Sequence, residues 1–264
     1  MKQKIISFIL AIMMVATLGV TAFADETPNY ASMSNKKLSE ISGITIEELV
    51  EARAIYGEEF GSVIADYIKR TTLSNEKNEL SKTETSRIST RSMSNSNWLR
   101  LSENFISGQI LLTDQADIKD IYTHGHVAIL YDETTTVEHI GKKEGTDSPN
   151  YDEATGKYLS GNYDVSWWKD HYTRIKTLNY SSETVMRVAG IYAYNNLQGI
   201  PYNAIAPKNN SSVVNCASLV WKAYNNYGVN ILDSNRLYAL PKDFDTSSKL
   251  TTVSSVDWNN AHFD

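Results

Sequence analysis

NCASLVWKAYNNYG, the segment 215–228, predicts a helix that begins at about Cys216 and ends before Gly228. Asn215 is a residue type favoured at the N-cap position. The predicted helix is apolar on nearly all sides, which indicates that most of it is buried. Its apolar side chains recur at helical spacing at Ala217, Val220, Trp221 and Tyr224.

Cys216 is the single cysteine of the chain and falls in the first turn of this helix. Backbone N–H groups at a helix N-terminus carry partial positive charge, so the position favours a thiolate. A reactive thiol, a buried unreactive thiol and an intermolecular linker are the three interpretations that one unpaired cysteine allows. Position alone does not choose among them.

Residues 1–24 have the pattern of a secretory signal peptide, with Lys2 and Lys4 before an apolar run at 5–20 and an A-x-A site at 22–24. We therefore expect a secreted, extracellular protein, either released or associated with the cell wall. Exported proteins usually pair their cysteines in disulfides. The lone Cys216 cannot pair within the chain, which makes it unusual in that compartment.

The chain is acidic, with 25 basic and 31 acidic residues. Removal of residues 1–24 would leave a net charge of −8, because that segment holds two lysines and no acidic residue. Without clustered Lys and Arg to neutralise phosphates, we expect no nucleic-acid partner. No second apolar run is long enough to cross a bilayer, so we expect no stable membrane span after signal cleavage.

Beyond the signal peptide, the composition divides the chain into three parts. Residues 25–70 predict a helical extension or pro-region, with a capping box formed by Thr45 and Glu48. Residues 71–97 are rich in Ser, Thr, Asn, Lys and Glu, which predicts a flexible linker. Residues 98–264 are dense in aromatic and β-branched residues and predict one large folded domain.

The third part has the strand and helix signals of an α+β domain. Two strands at 126–131 and 135–140 flank a short turn and predict a β-hairpin. A long surface loop is expected over 141–165, where Gly, Asp and Asn are frequent. The remaining predicted elements are strands at 108–113 and 174–178 and a helix at 183–196.

A nucleophilic thiol needs a nearby base, and that base needs an orienting partner. His126 opens an apolar strand and is well placed to face a helix packed on the same sheet. Across the hairpin lie Glu138 and His139, of which only one can share a face with His126. Strand parity does not choose between them while the register is unknown.

Five segments in order resemble the circularly permuted papain-like amidases of the YiiX type, relatives of NlpC cell-wall peptidases and of lecithin retinol acyltransferase. They are GQILLT, HGHVAILY, VEHIG, GIPYN and NCASLVWKAYNNYG, and the resemblance covers about 107–253. In that group the histidine strand and an acidic strand precede the cysteine helix. The resemblance implies a permuted papain-like fold, in which an antiparallel sheet packs on the Cys-bearing helix.

The resemblance also implies the roles of four residues. Cys216 matches the nucleophile, His126 the base, Glu138 the orienting residue and Tyr202 a tyrosine that lines the site. Where the group often has Asp after the first glycine, this chain has Gln109, which we interpret as a peripheral change. Where a small residue often follows the acid, this chain has His139, which stays a rival to Glu138.

The implied activity is that of a cysteine hydrolase, which cleaves an amide or peptide bond, such as one in a cell-wall peptide, through a thioester. Cys216 N–H and the Tyr202 hydroxyl would stabilise the oxyanion. No cofactor and no metal is expected. Two alternatives stay open: an acyltransferase or lipid esterase on the same fold, and a binding protein with a vestigial site.

A zinc site is a further rival to the hydrolase. His124 and His126 are two residues apart on one strand, and His139 and Cys216 would complete four ligands. Imidazole and thiolate are ligands that zinc prefers. Gly125 and the nearby strand boundary leave the direction of His124 uncertain, which weakens this alternative.

Overall fold

A computed structural model of the chain describes residues 28–85, 105–113, 125–140, 150–170, 173–179 and 183–256. The predicted signal peptide at 1–24 lies outside the described residues, and so do 86–97 of the predicted linker and His124. Among the described helices, none combines the length and the apolar character that crossing a bilayer requires.

A six-stranded antiparallel sheet forms the centre of the fold, with strand order β6-β3-β2-β1-β7-β8. The predicted α+β class is confirmed, and so is the β2–β3 hairpin. A separate two-stranded ribbon pairs β4 with β5. The strands are β1 Ile110–Thr113, β2 His126–Leu130, β3 Thr135–Glu138, β4 Tyr151–Asp152, β5 Lys157–Tyr158, β6 Gly161–Asp164, β7 Thr173–Leu178 and β8 Leu250–Val256.

The prediction of a long loop over 141–165 is wrong from residue 151 onward. That stretch contains the β4–β5 ribbon and the edge strand β6, which pairs with β3. Gly156, at a φ of +66°, forms the turn of the ribbon with the Asp152 carboxylate accepting from Ala154 N and Thr155 Oγ1. Edge strands form through backbone hydrogen bonds and need few apolar side chains, so composition alone did not reveal them.

The described residues contain six α-helices. The helix predicted at 183–196 is confirmed, and the Cys216 helix ends at Asn225, slightly before the predicted end. Short 3₁₀ helices lie at Tyr30–Ser32, Gly57–Glu59 and Val165–Asp170. The α-helices are α1 Asn35–Ser42, α2 Ile46–Tyr56, α3 Phe60–Thr85, α4 Glu183–Asn196, α5 Cys216–Asn225 and α6 Pro241–Asp245.

The flexible linker predicted from residue 71 is wrong as far as residue 85, because α3 continues to Thr85. The polar composition suggested disorder, but 71–85 contains neither Gly nor Pro. Once a helix has nucleated, each further residue adds one hydrogen bond at little cost, so a polar stretch without breakers extends it.

Three buried clusters hold the layers together. The first joins α4 and α5 to the sheet face that carries Val127, Ile129 and Val137. The second lies on the opposite face around Ala128 and Trp168. The third packs α1, α2 and α3 against Ile205, Tyr238 and Leu240, so the N-terminal helices share a core with the rest of the protein.

Candidate active site

The N-terminus of α5 places Cys216. The Asn215 Oδ1 accepts a hydrogen bond from Ser218 N at 2.6 Å, and Ser218 Oγ accepts from Asn215 N at 2.9 Å. This reciprocal capping box fixes the first turn of the helix and confirms Asn215 as its N-cap. Cys216 is the first helical residue, is a free thiol and is only 3% exposed.

The register of the hairpin decides which residue faces His126. Ile129 pairs with Val137. Since side chains alternate along a strand, Glu138 lies on the same face as His126, and His139 lies on the other. The His126 Nε2–H donates to Glu138 Oε2, and both residues are buried, at 0% and 1% exposure.

Two further side chains hold the Glu138 carboxylate. Its Oε1 accepts hydrogen bonds from Thr136 Oγ1 and from Trp168 Nε1, the latter at 3.2 Å. Trp168 also stacks on the His126 ring, with the ring centroids 5.3 Å apart and the planes at 17°. A buried carboxylate needs such donors to offset its lost hydration, and here they also fix its direction.

Sequence reasoning missed both of these residues. Thr136 had a usable signal, because it precedes Glu138 by two residues on one strand and therefore shares its face. Trp168 follows Trp167 directly, and such an aromatic pair is typical of ordinary core packing. It is fully buried, but its indole N–H is directed at the carboxylate, which no local sequence pattern indicates.

Cys216 is the third member of the group that contains Glu138 and His126. The thiol lies close enough to the His126 ring to affect its pKa, and Nε2 of that ring is engaged by Glu138. Burial, the strongest single influence, lowers the pKa of His126, but hydrogen bonds and negative charge from Cys216 and Glu138 raise it. The net pKa is about 9, above the ordinary 6.5, so the imidazole is held protonated near neutral pH.

His139 occupies a different environment from His126. Its Nε2 hydrogen-bonds the Tyr158 carbonyl at 3.2 Å, and its ring centroid lies 4.8 Å from that of Tyr202. Burial lowers the pKa of His139 to about 3, which keeps this imidazole neutral. The structure therefore places Glu138, rather than His139, beside His126.

Tyr202 lies within electrostatic reach of Cys216. Its backbone is fixed by a hydrogen bond from Tyr202 N to Tyr158 O at 3.1 Å and by a bridge to Val214. Burial raises the pKa of Tyr202, and negative charge on Cys216, Glu48 and Tyr67 raises it further. All four residues predicted from the sequence are thus gathered in one region.

The N-terminal helices also reach this region, which the sequence did not predict. Tyr67 of α3 is buried, and its pKa is raised by burial first and then by the charges of Glu48 and Cys216. Glu48 of α2 accepts a hydrogen bond from Ala204 N at 3.1 Å, two residues after Tyr202. No sequence signal links positions 48 and 67 to Tyr202 and Cys216, which lie more than a hundred residues away.

No group of three or more His, Cys, Asp or Glu side chains is arranged to hold a metal ion within the described residues. His126 and Cys216 of the zinc alternative lie together, whereas His139 lies on the other strand face. His124, the fourth ligand of that alternative, is outside the described residues.

Comparison with known proteins gives one structural likeness. No family model and no curated protein matches the chain. The fold is weakly similar to the crystal structure of the metalloprotein yiiX from Escherichia coli O157:H7, with a TM-score of 0.40 and 13% sequence identity. The likeness covers 57% of this chain and 97% of that one.

Proposed function

We propose that this protein is a cysteine hydrolase that cleaves an amide or peptide bond through a thioester intermediate. One observation carries the proposal: Glu138 hydrogen-bonds the buried His126, and Cys216 at a helix N-terminus lies beside the same imidazole. Nucleophile, base and orienting group in this order are the arrangement that covalent acyl transfer requires. The chain order of the three residues also supports a permuted papain-like fold.

In the first step, Cys216 and His126 act as a thiolate–imidazolium pair. The thiolate sulfur attacks the substrate carbonyl carbon, a C–S bond forms and the carbonyl π electrons move to oxygen. The Cys216 backbone N–H at the start of α5 and the Tyr202 hydroxyl stabilise that oxyanion. Loss of one such donor typically lowers the rate by about 10²–10³-fold.

The intermediate then collapses to products in two stages. The C–N bond breaks, and the departing amine takes the proton held by His126. Water attacks the resulting thioester while its proton passes to His126, and cleavage of the C–S bond returns the thiolate. Throughout, Glu138 keeps the Nε2–H of the imidazole, so that Nδ1 is the nitrogen that exchanges protons.

The substrate class follows from the proposed location of the protein. The signal-like segment 1–24 supports export, and an exported amidase would meet extracellular peptides, including those of the cell wall. Because Cys216 is buried, we expect the part of the substrate that enters the site to be uncharged. A charged group would lose its hydration there.

The first test compares wild-type protein with Cys216→Ala, His126→Ala and Glu138→Gln. The measurements are iodoacetamide labelling of Cys216 against pH and hydrolysis of peptide amides that mimic cell-wall stem peptides. We expect Cys216→Ala to abolish hydrolysis and His126→Ala to slow labelling near neutral pH. Glu138→Gln should lower the hydrolysis rate on the order of 10²–10⁴-fold.

Glu133→Gln is the matched control, since Glu133 is an exposed acid on the turn of the same hairpin. It should label and hydrolyse as wild type does. Full hydrolysis by Cys216→Ala would rule out the thioester route. Labelling of Cys216 that is slow in the wild type and unchanged in His126→Ala would indicate an unactivated thiol.

A further inference from the structure

The helix α2 holds one segment that lies just before the Cys216 helix. Asn203 Nδ2 donates to Glu48 O and to Glu51 Oε2, both at 3.1 Å. The Tyr56 hydroxyl donates to Ile205 O at 2.6 Å within the buried interface. Residues 203–205 are therefore held by the N-terminal helices through backbone and side-chain hydrogen bonds, in addition to apolar packing.

The helix α3 holds a second segment, 238–243, that follows the Cys216 helix. The Tyr238 hydroxyl donates to Asp66 Oδ2 at 2.8 Å. Arg70 forms a largely buried ion pair with Asp243, and its guanidinium lies 5.4 Å from the Tyr238 ring centroid. Removing either partner of such a pair would leave a charge buried without compensation.

These two segments meet at one side chain. The Asn215 Nδ2 donates to Ala204 O at 2.9 Å and to Ala239 O at 3.1 Å. Its Oδ1 at the same time caps α5 through Ser218 N. The side-chain amide of Asn215 therefore connects segments 203–205 and 238–243 to the first turn of α5, which carries Cys216.

We propose that α2 and α3 form a permanent clamp that positions the Cys216 thiol against His126, with Asn215 as the positioning residue that transmits it. This inference rests on the proposed function and deepens it: the N-terminal helices belong to the working catalytic unit and are not a removable cover. Covalent catalysis depends on reacting atoms held about 3–3.5 Å apart, so a small shift of the helix start is costly.

The test uses the full chain with two hydroxyl deletions that conserve shape, Tyr56→Phe and Tyr238→Phe, combined in one variant. Each deletes one hydrogen bond between the N-terminal helices and a segment that they hold. We expect iodoacetamide labelling of Cys216 at neutral pH to be about fivefold to tenfold slower. We also expect the pH of half-maximal labelling to rise, which a purely structural loss would not cause.

Arg53→Met is the matched control. The Arg53 guanidinium bonds Asn35 Oδ1, Ala31 O and Met33 O, all within the N-terminal helical region, so its loss loosens that region without touching either held segment. The folded fractions of this control and of the double variant are measured by circular dichroism. Should the double variant fold poorly, Tyr238→Phe alone provides the same readout from one side of the interface.

The outcomes separate this inference from the proposed function. Labelling of the double variant that is unchanged, faster or no slower than that of Arg53→Met would overturn the clamp. Faster labelling would in addition identify the N-terminal helices as a cover. His126→Ala in the otherwise native chain judges the proposed function independently, because that variant leaves every clamp contact in place.

Discussion

His126 begins β2 and His139 directly follows β3 of the same hairpin, yet their surroundings shift their pKa values in opposite directions. His126 has two acidic neighbours, which outweigh burial and hold its pKa at about 9. For His139 burial dominates, and its pKa falls to about 3. Burial alone therefore does not fix the charge of an imidazole; the partners that the strand face supplies decide it.

The lowered pKa of His139 predicts a sensitivity to acid. The unfolded chain protonates this residue below about 6.5 and the folded chain only near 3, so its contribution to stability is full above pH 6.5 and is lost as pH falls toward 3. Urea unfolding of His139→Gln at pH 7 and pH 4.5 should show a pH-dependent loss smaller than that of wild type by about 2–3 kcal/mol.

His126→Gln is the control for this measurement. The folded pKa of His126 is raised, so its contribution is full below about 6.5 and is lost as pH rises through about 9. The control should keep the acid sensitivity of wild type and lose part of the alkaline one. If His139→Gln were as sensitive to acid as the wild type, the lowered pKa of His139 would not be the source of that sensitivity.

Residue chemistry was predictable where local pattern determines it. The positions of Cys216 at a capped helix start, of His126 at a strand start and of Glu138 in the hairpin were predicted from the sequence. Their grouping as candidate site residues rested on the family resemblance, and the choice between Glu138 and His139 needed the register. Trp168 could not be predicted as a donor to Glu138. Its position depends on the path of β6 and the following 3₁₀ helix, which no local pattern determines.

At the scale of elements, α4 reaches the sheet through a close approach at Gly190. A Cβ added there would lie 2.4 Å from Ser107 Oγ and 2.6 Å from the Leu130 carbonyl oxygen. The nearby Gly108, at a φ of +86°, leads the chain into β1. The absence of a side chain at Gly190 therefore sets the distance between α4 and the strands that carry the site.

Gly190→Ala tests this approach. Alanine favours a helix over glycine by about 1 kcal/mol, but the clash with backbone should cost more, giving a net destabilisation of about 1–2 kcal/mol. The measurement is urea denaturation, with Ile191→Ala as the control, since Ile191 is 46% exposed on the same helix. A stabilised Gly190→Ala would show that the two layers have room to separate.

The elements with strong periodicity, α4, α5 and the β2–β3 hairpin, were predicted from the sequence. The weakly patterned ones were not. The strands β4, β5 and β6 are short and mostly polar, and they are stabilised by backbone pairing, in the case of β6 with a strand distant in sequence. The extension of α3 to Thr85 was missed because composition reports the solubility of a segment better than its helicity.

On the scale of the whole molecule, the N-terminal helices and the sheet domain share the buried cluster around Ile64, Ile205 and Tyr238. Hydrogen bonds and ion pairs cross the same boundary, including Arg70 with Asp243. An interface with this content joins two parts into one cooperative unit. Sequence patterns indicated helices in this region, but the surface on which they dock is set by contacts between residues far apart in the chain.

Cooperativity across this boundary can be measured because every tryptophan lies at residue 98 or later. Ile64→Ala, a fully buried position in α3, should shift the fluorescence-detected urea transition of the sheet domain by about 2–5 kcal/mol. Val50→Ala, at a position 54% exposed on α2, should leave it nearly unchanged. An early transition seen only by circular dichroism would mean that the helices unfold separately.

The order in which the site assembles follows from where its members lie along the chain. His126 and Glu138 are 12 residues apart in one hairpin, whereas Cys216 enters about 90 residues later and its helix needs segments from both sides. Local contacts form early in folding and distant ones late. A growing or partly folded chain therefore brings His126 and Glu138 together before Cys216 arrives, and the proposed site is complete only once α5 has docked.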